Sequence, residues 1–394
     1  MFILFIQAVF TGGGLQAQDD VYKFTDKYTV KTTGIKNQYS SGTCWSYSGL
    51  SFFESEAYRV KGKDFDLAEM FIVSNAYIDK ADMYVRMHGK LNFSEGGAFH
   101  DVAYVMKKYG IVPEEAYKGL CYGTKNHVHQ EMAEILTKYV EGVVANKNGT
   151  LSTSWRKAYK GVVEAYLGAI PSEFDYNGKK VNPKDFVKNE LGLNMDDYVE
   201  IGSFTHHPFY EKFAIEVPDN WMMDQIYNVP LNELEAIMDN ALKNGYSVAW
   251  GADISHPGFK NYFGPKGLAI VPALSADNMP AGLEQAKWDD MSKDEKEAAL
   301  KSSEKIVKEM EITQEYRQQE FDNYTTQDDH GMHIVAIAED QEGNKYYKVK
   351  NSWDEIGKFK GYFYASDNFI RLQTMDIMVH KDAIPKDIRK KLGL

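Results

Sequence analysis

Gln38-Tyr39-Ser40-Ser41-Gly42-Thr43-Cys44-Trp45-Ser46-Tyr47-Ser48 is the stretch around which the rest of the chain is organised. One of only two cysteines, Cys44, follows a glycine by two residues and a glutamine by six, and directly precedes a tryptophan. An apolar, helix-compatible run follows in Leu50, Phe52, Phe53, Ala57 and Tyr58. Together these describe a loop that delivers a thiol to the first turn of a buried helix. The placement suits a nucleophile, because the thiolate is the reactive form. The unpaired N–H groups of a helix N-terminus and a nearby imidazolium lower a thiol from its free pKa of about 8.5. Gly42 permits a backbone shape that other residues resist. Gln38 is an uncharged donor able to share an oxyanion with the Cys44 N–H. The plain alternative is a buried cysteine that packs as a small apolar side chain; the glutamine, glycine and tryptophan around Cys44 favour catalysis.

The C-terminal part supplies partners for such a thiol. His333 opens the buried-strand signature H-I-V-A-I-A after the polar loop Thr325 to Gly331. Lys345 to Lys350 reads as a second strand ending in Asn351-Ser352-Trp353, and Gly361 to Tyr364 as a third. A hairpin through Gly343-Asn344 would set His333 beside Asn351. The expected roles are His333 as the proton shuttle and Asn351 as the group that orients it, with Trp353 covering their hydrogen bond. His330 is the rival base; it stands in Asp328-Asp329-His330-Gly331, which reads as loop, so His333 is preferred. For Asn351 the alternative is a turn residue bonded to its own backbone.

Between these ends the periodicity predicts further elements. Helical spacing runs from Asp66 to Asp79, then from about Ala98 to Tyr109 after Glu95-Gly96-Gly97. Helical patterns recur near Gln130 to Val140 and Leu151 to Leu167, and Asn177-Gly178 marks a hairpin turn. Residues 231 to 243 form an amphipathic helix and Ser247 to Ala252 a buried strand. The charged stretch 288 to 328 is a solvated helical excursion, with Ser292 and Glu295 as a capping box. His127-x-His129 and His206-His207 lack the cysteines or the helical His-Glu-x-x-His pattern of a zinc site, so no metal is expected.

Gln38, Cys44-Trp45, His333 and Asn351-Ser352-Trp353 resemble the papain-type cysteine peptidases, in family order. Glu95-Gly96-Gly97 with its helix and Tyr109-Gly110-Ile111-Val112-Pro113 extend the likeness. The spacing from Cys44 to His333 is much longer than the roughly 130–150 residues usual in that family. The long spacing, the absence of a disulfide framework and Asn244 to Ile254 resemble the bleomycin hydrolase and bacterial aminopeptidase C branch. Phe174 to Phe186 and Val379 to Pro385 are similar to the same branch. The resemblance implies an α+β papain-like fold: a helical lobe, an antiparallel barrel-like β lobe, and large, mainly helical insertions at 121–230 and 255–329 within a peptidase domain spanning 18–394. It implies Cys44, His333, Asn351 and Gln38 as catalytic residues, with Gly96, Gly97 and Trp353 binding substrate. No cofactor is implied, and the partners are peptide substrates. A barrel-like hexamer is the assembly that the branch would suggest. In that branch a C-terminal arm enters the cleft, meets the substrate's free amine and makes the enzyme an aminopeptidase. Here little sequence follows Ile384-Pro385, which opens endopeptidase action as an alternative. A peptide-binding relative without catalysis and an amidase acting on non-peptide acyl groups are the other readings. Gly42-Thr43-Cys44-Trp45 and Asp354 depart mildly from the family's Gly-Ser-Cys-Trp and Asn-Ser-Trp-Gly.

Composition is consistent with this. The 394 residues are enough for one large domain or two. A net charge of −12 argues against nucleic acid as ligand. No apolar run is long enough for a transmembrane helix. Both Cys44 and Cys121 are expected reduced, since pairing would silence Cys44. Phe2 to Phe10 is apolar apart from Gln7, and a Gly12-Gly13-Gly14 break leads to Ala17 before Gln18-Asp19-Asp20. This predicts a signal peptide over 1–17 and an exported, periplasmic or extracellular protein; a docked N-terminal tail on a cytoplasmic protein is the alternative.

Overall fold

The first turn of the central helix begins at Cys44, and the rest of the molecule packs around that helix. The computed structural model describes residues 21–261, 266–301 and 305–394. The segment expected to be a signal peptide lies outside the described residues. Helix α1, Cys44–Lys61, is buried from Trp45 through Ala57. Its mixture of Phe52, Phe53 and Leu50 with four serines and Gly49 suits a helix enclosed on all sides. The small residues let neighbours close in: a Cβ at Gly49 would stand 2.8 Å from Val102 Cγ2. The helix ends at Gly62, whose φ of +70° lets its N–H donate to the Tyr58 carbonyl.

Two helices and a sheet enclose α1. Helices α2 (Glu69–Arg86) and α3 (Phe99–Lys108) flank it, and α4 (Gln130–Val144) and α5 (Ser154–Leu167) build outward from α2. Phe52, Phe53, Phe71, Val102 and Leu136 belong to the core of this helical lobe. The strands are β1 (Thr25–Thr29), β2 (Phe174–Tyr176), β3 (Lys179–Val181), β4 (Tyr198–Gly202), β5 (Lys212–Ala214), β6 (Gln225–Asn228), β7 (Val248–Ala252), β8 (Leu268–Ala269), β9 (His330–Glu339), β10 (Lys345–Lys350), β11 (Tyr362–Ser366) and β12 (Thr374–His380). β2 and β3 form the separate hairpin through Asn177-Gly178. The others form one sheet in the order β5-β6-β4-β12-β7-β9-β10-β11-β8, with β1 added to β9. Most neighbours are antiparallel, but β4 with β6 and β8 with β11 are parallel.

The papain-like α+β class is as expected, while the β lobe is an open mixed sheet whose path does not return from β8 to β5. Trp250, Ile334, Val349 and Phe363 form its core with Leu234 and Ile237 of the helix Leu231–Lys243. The 121–230 stretch is only partly helical, since it also supplies β4, β5 and β6 to the edge of the main sheet. The capping box at Ser292 and Glu295 forms as expected, with Glu295 accepting from Ser292 N–H and donating its own N–H to Ser292 Oγ.

No helix among the described residues is long and apolar enough to cross a membrane.

Candidate active site

Two anchored segments hold the thiol. Lys36 places its ammonium among Glu54 of α1, Asp66 and Glu69 of α2, at 2.7–3.1 Å. This pins the chain just before Gln38 to two helices. Glu95 holds the Cys44 loop from the other side: its Oε2 accepts from the Gly42 N–H at 2.8 Å, and its carbonyl accepts from Trp45 Nε1 at 3.1 Å. Glu95 therefore props the loop. Gly97 lies against Trp45, where a Cβ would come within 2.9 Å of the indole.

Cys44 is partly exposed at the first position of α1, and both cysteines are free. Backbone hydrogen bonds from Gly331 and Trp45 reach its sulfur, so the thiol lies beside the start of β9. Burial pushes the thiol up to about 12; the Gly331 N–H pulls it down, and the charges of Asp328 and Asp219 push it up further.

The imidazole that Asn351 holds belongs to His330, the residue before Gly331. The sequence reading assigned the asparagine-held histidine to His333; the structure corrects it. His330 Nε2 lies 2.8 Å from Asn351 Oδ1. His333 Nδ1 instead lies 3.0 Å from Ser51 Oγ, which also accepts from the Lys350 ammonium at 2.8 Å. The cause is strand geometry. Side chains three apart on a strand point to opposite faces. Gly331 and His333 face α1 at Ser48 and Ser51, whereas His330 lies under the Trp353 ring, 4.6 Å between centroids. His333 is 0 % exposed and sealed in. The strand also begins earlier than expected, because β7 pairs Ala252 with His330 and Gly251 with Gly331. Across β10, the partner of His333 is Lys350.

An asparagine oxygen can only accept, so the 2.8 Å bond puts the proton on His330 Nε2 and leaves Nδ1 with its lone pair. Burial lowers His330 to about 4, against a smaller raising effect of Asn351. His333 is also lowered, first by burial and then by the Lys350 charge.

The remaining predicted residues gather here. Gln38 Oε1 accepts from Ser352 Oγ at 2.6 Å, and Gln38 Nε2 donates to the Ser41 carbonyl at 2.7 Å. That leaves the second Nε2 hydrogen uncommitted. Asn37 bridges Trp353, which ties the Gln38 strand to the Asn351 segment. Trp353 packs on His330 and also on Phe259. Gly96 and Gly97 precede α3, on the Cys44 side.

Two acidic residues near the thiol escaped the sequence reading. Asp328 is pushed up to about 8 by burial and then by Asp219, Asp329 and Glu200, partly offset by His100. Asp219 comes from the loop between β5 and β6 and sits directly on Gly96. No local motif marks it, since its position depends on a strand pair far along the chain.

His206, His207 and Glu216 are the three described residues whose ligand atoms lie close enough for a metal, all within 4.8 Å. Their hydrogen bonds leave little for an ion. Gln318 Nε2 donates to His206 Nδ1 at 2.9 Å, so His206 Nε2 carries a proton and donates it to Glu216 at 3.1 Å.

Comparison with known proteins agrees with this arrangement. The profile of the Peptidase C1-like family matches residues 15–264 and 303–393. Aminopeptidase C of Lactobacillus delbrueckii subsp. lactis is 22% identical over 403 residues, covering 92% of this chain and 82% of its own length. Aminopeptidase C of Listeria innocua is 23% identical over 405 residues, covering 92% and 83%. The crystal structure of PepW from Lactobacillus rhamnosis superposes with a TM-score of 0.67 at 20% identity, over 94% of this chain and 84% of that one.

Proposed function

The chain belongs to the Peptidase C1-like family and is a cysteine peptidase, and from that premise we propose that it is an aminopeptidase acting through Cys44, His330 and Asn351. One observation carries the choice of residues: the 2.8 Å bond from His330 Nε2 to Asn351 Oδ1, on the strand whose next N–H meets the Cys44 sulfur. In the first half-reaction His330 Nδ1 takes the thiol proton and Cys44 Sγ attacks the peptide carbonyl. The C–N bond breaks, His330 returns the proton to the leaving amine, and a thioester remains. A water then gives its proton to His330 and attacks the thioester, releasing the acid and restoring the thiol. Gln38 Nε2 and the Cys44 N–H steady the oxyanion in both steps. Asn351 holds the imidazole in the tautomer that leaves Nδ1 free, and Trp353 shields that bond from water. The aminopeptidase character is supported by the names of the relatives, aminopeptidases C in two genera.

Residues 18–394 act in this proposal as one peptidase domain, with 121–230 and 255–329 as insertions. Export by the 1–17 segment is part of it and is read by cell fractionation; a hexamer is read by sizing in solution.

The test is one peptide series with free and with acetylated N-termini, assayed in reducing buffer alongside Cys44→Ala. Release of single N-terminal residues from free peptides only, abolished in Cys44→Ala, is the expected result. Internal cleavage of blocked peptides would make the enzyme an endopeptidase, and undiminished activity in Cys44→Ala would overturn the mechanism.

A further inference from the structure

Gly97 leaves its backbone N–H and C=O without hydrogen-bond partners among the described residues. Buried or half-buried backbone groups are rarely left so. The segment 94–97 runs beside Cys44, tied to it through Glu95 and Trp45. It therefore offers an incoming peptide a short run of main chain to pair with. At its upstream end stands Asp219. Its carboxylate presses so closely on Gly96 that a Cβ there would overlap Asp219 Oδ2, at 1.8 Å. Only glycine fits.

The carboxylate is held by hydrogen bonds and not by a direct ion pair. Asp219 Oδ1 accepts from Ser94 Oγ at 2.9 Å and from Asn92 Nδ2 at 3.1 Å. Asp219 Oδ2 has no hydrogen-bond partner, and Asp219 has no ion-pair partner among the described residues. Lys80 is the nearby cation, but its ammonium is spent on the carbonyls of Ser94 and Gly96. The loop that carries Asp219 is itself fixed: Trp221 Nε1 donates to the buried Asp101 carboxylate at 2.7 Å, and Asn220 spans the loop to Ile215 and Asp224. A fixed carboxylate with a spare oxygen, close enough to Cys44 for its charge to act on the thiol, is a receptor for a cation with several N–H donors.

We propose that Asp219 binds the α-ammonium of the substrate and ends the cleft there, so that it sets the enzyme's preference for free N-termini. This rests on the aminopeptidase reading above. The carboxylate lies against Gly96, on the run of main chain that is tied to Cys44 through Glu95 and Trp45. What reaches it is therefore the end of the peptide backbone, and a lysine side chain is the lesser candidate. The same contact assists the chemistry. The Asp219 charge is among those that raise the Cys44 thiol, and a bound ammonium offsets it. A substrate with a free amine thus eases ionisation of the thiol that will attack it.

Asp219→Asn keeps the side-chain shape and an acceptor for Ser94 and Asn92. Wild type and variant are compared on an alanine-rich peptide with a free amine, its acetylated form, and an acetylated form carrying lysine near the cleaved bond. The expected result is a fall of about tenfold to a hundredfold in kcat/KM for the free-amine peptide alone, mostly through KM, the size of losing one charge-assisted contact. Iodoacetamide labelling of Cys44 should also move to lower pH in the variant while its far-UV circular dichroism stays that of the wild type; loss of fold would change that spectrum. A wild-type preference for free amines that survives in Asp219→Asn overturns the role of Asp219 and leaves the aminopeptidase reading standing. Loss of activity in the variant only on the acetylated lysine peptide also overturns it, in favour of a side-chain reader. A wild type that cuts free and acetylated peptides equally, or cuts neither, overturns both.

Discussion

His330 and His333 stand on the same strand, three residues apart, and occupy opposite kinds of ground. Both are buried and both are held neutral by that burial. His333 is closed in by α1: Ser51 satisfies its Nδ1, and the Lys350 ammonium shares the same hydroxyl. His330 lies at the end of the strand where β9 enters the cleft, with Asn351 on Nε2 and Trp353 over its face. In the proposed mechanism the catalytic imidazole needs one nitrogen fixed and the other facing the reactants. Burial and strand position supply the first condition to both histidines, and the pleat of the strand grants the second to only one.

The sharpest way to break this comparison is to exchange the losses. His330→Ala should lower kcat/KM by about 10²–10⁴, the range of general acid–base catalysis. His333→Ala should leave kcat within a few-fold per folded molecule but cost about 1–3 kcal/mol of stability, because Ser51 loses a buried partner. Chemical denaturation and steady-state kinetics on both variants read the two effects separately. The pH dependence has a definite sign. A lowered histidine pKa means that the unfolded chain, protonating near 6.5, binds more protons than the fold. His333 therefore weakens the fold as pH falls below about 6.5, and His333→Ala should flatten that acid-side fall. A His333→Ala enzyme as inactive as His330→Ala would reverse the assignment.

Asn351→Ala tests what orientation contributes. The imidazole would be free to turn and to change tautomer, and kcat should fall roughly tenfold to a hundredfold with KM little changed, less than the roughly 10⁴ lost with the charged orienting residue of a Ser-His-Asp triad, because an asparagine adds no charge. An unchanged kcat would mean that Trp353 and packing alone hold the ring.

The smallest effect concerns the resting state of the thiol. With Cys44 raised to about 12 and His330 lowered to about 4, the free site holds a neutral thiol and a neutral imidazole over the intervening pH range. Alkylation of the free enzyme by iodoacetamide should therefore climb with pH through 6 to 9, following the thiolate fraction. A plateau from pH 5 to 8 would reveal a preformed thiolate–imidazolium pair.

Local chemistry made much of this legible from the chain. Cys44 opens α1 where the Gly42 loop meets the apolar run. The amphipathic helix Leu231–Lys243 has the predicted bounds, the strand Lys345–Lys350 likewise, and the Asn177-Gly178 turn closes its hairpin. These depend on periodicity, caps and turns, which are properties of neighbouring residues. His330 was misplaced because Asp328-Asp329-His330-Gly331 has the composition of a loop; pairing with β7 carries the strand through His330 and Gly331. The 121–230 stretch resisted for a similar reason, since β4, β5 and β6 are short and become strands by joining the edge of a sheet.

By itself the sequence determined the helix that carries the thiol, the hairpin that carries Asn351, and the residue types from which a cysteine peptidase is built. Tertiary structure alone decided which histidine meets Asn351 and which carboxylate lies against Gly96. The first depends on strand register, where one residue of displacement turns a side chain to the other face. The second depends on a loop between two edge strands folding over Gly96, a contact between segments that share no local pattern.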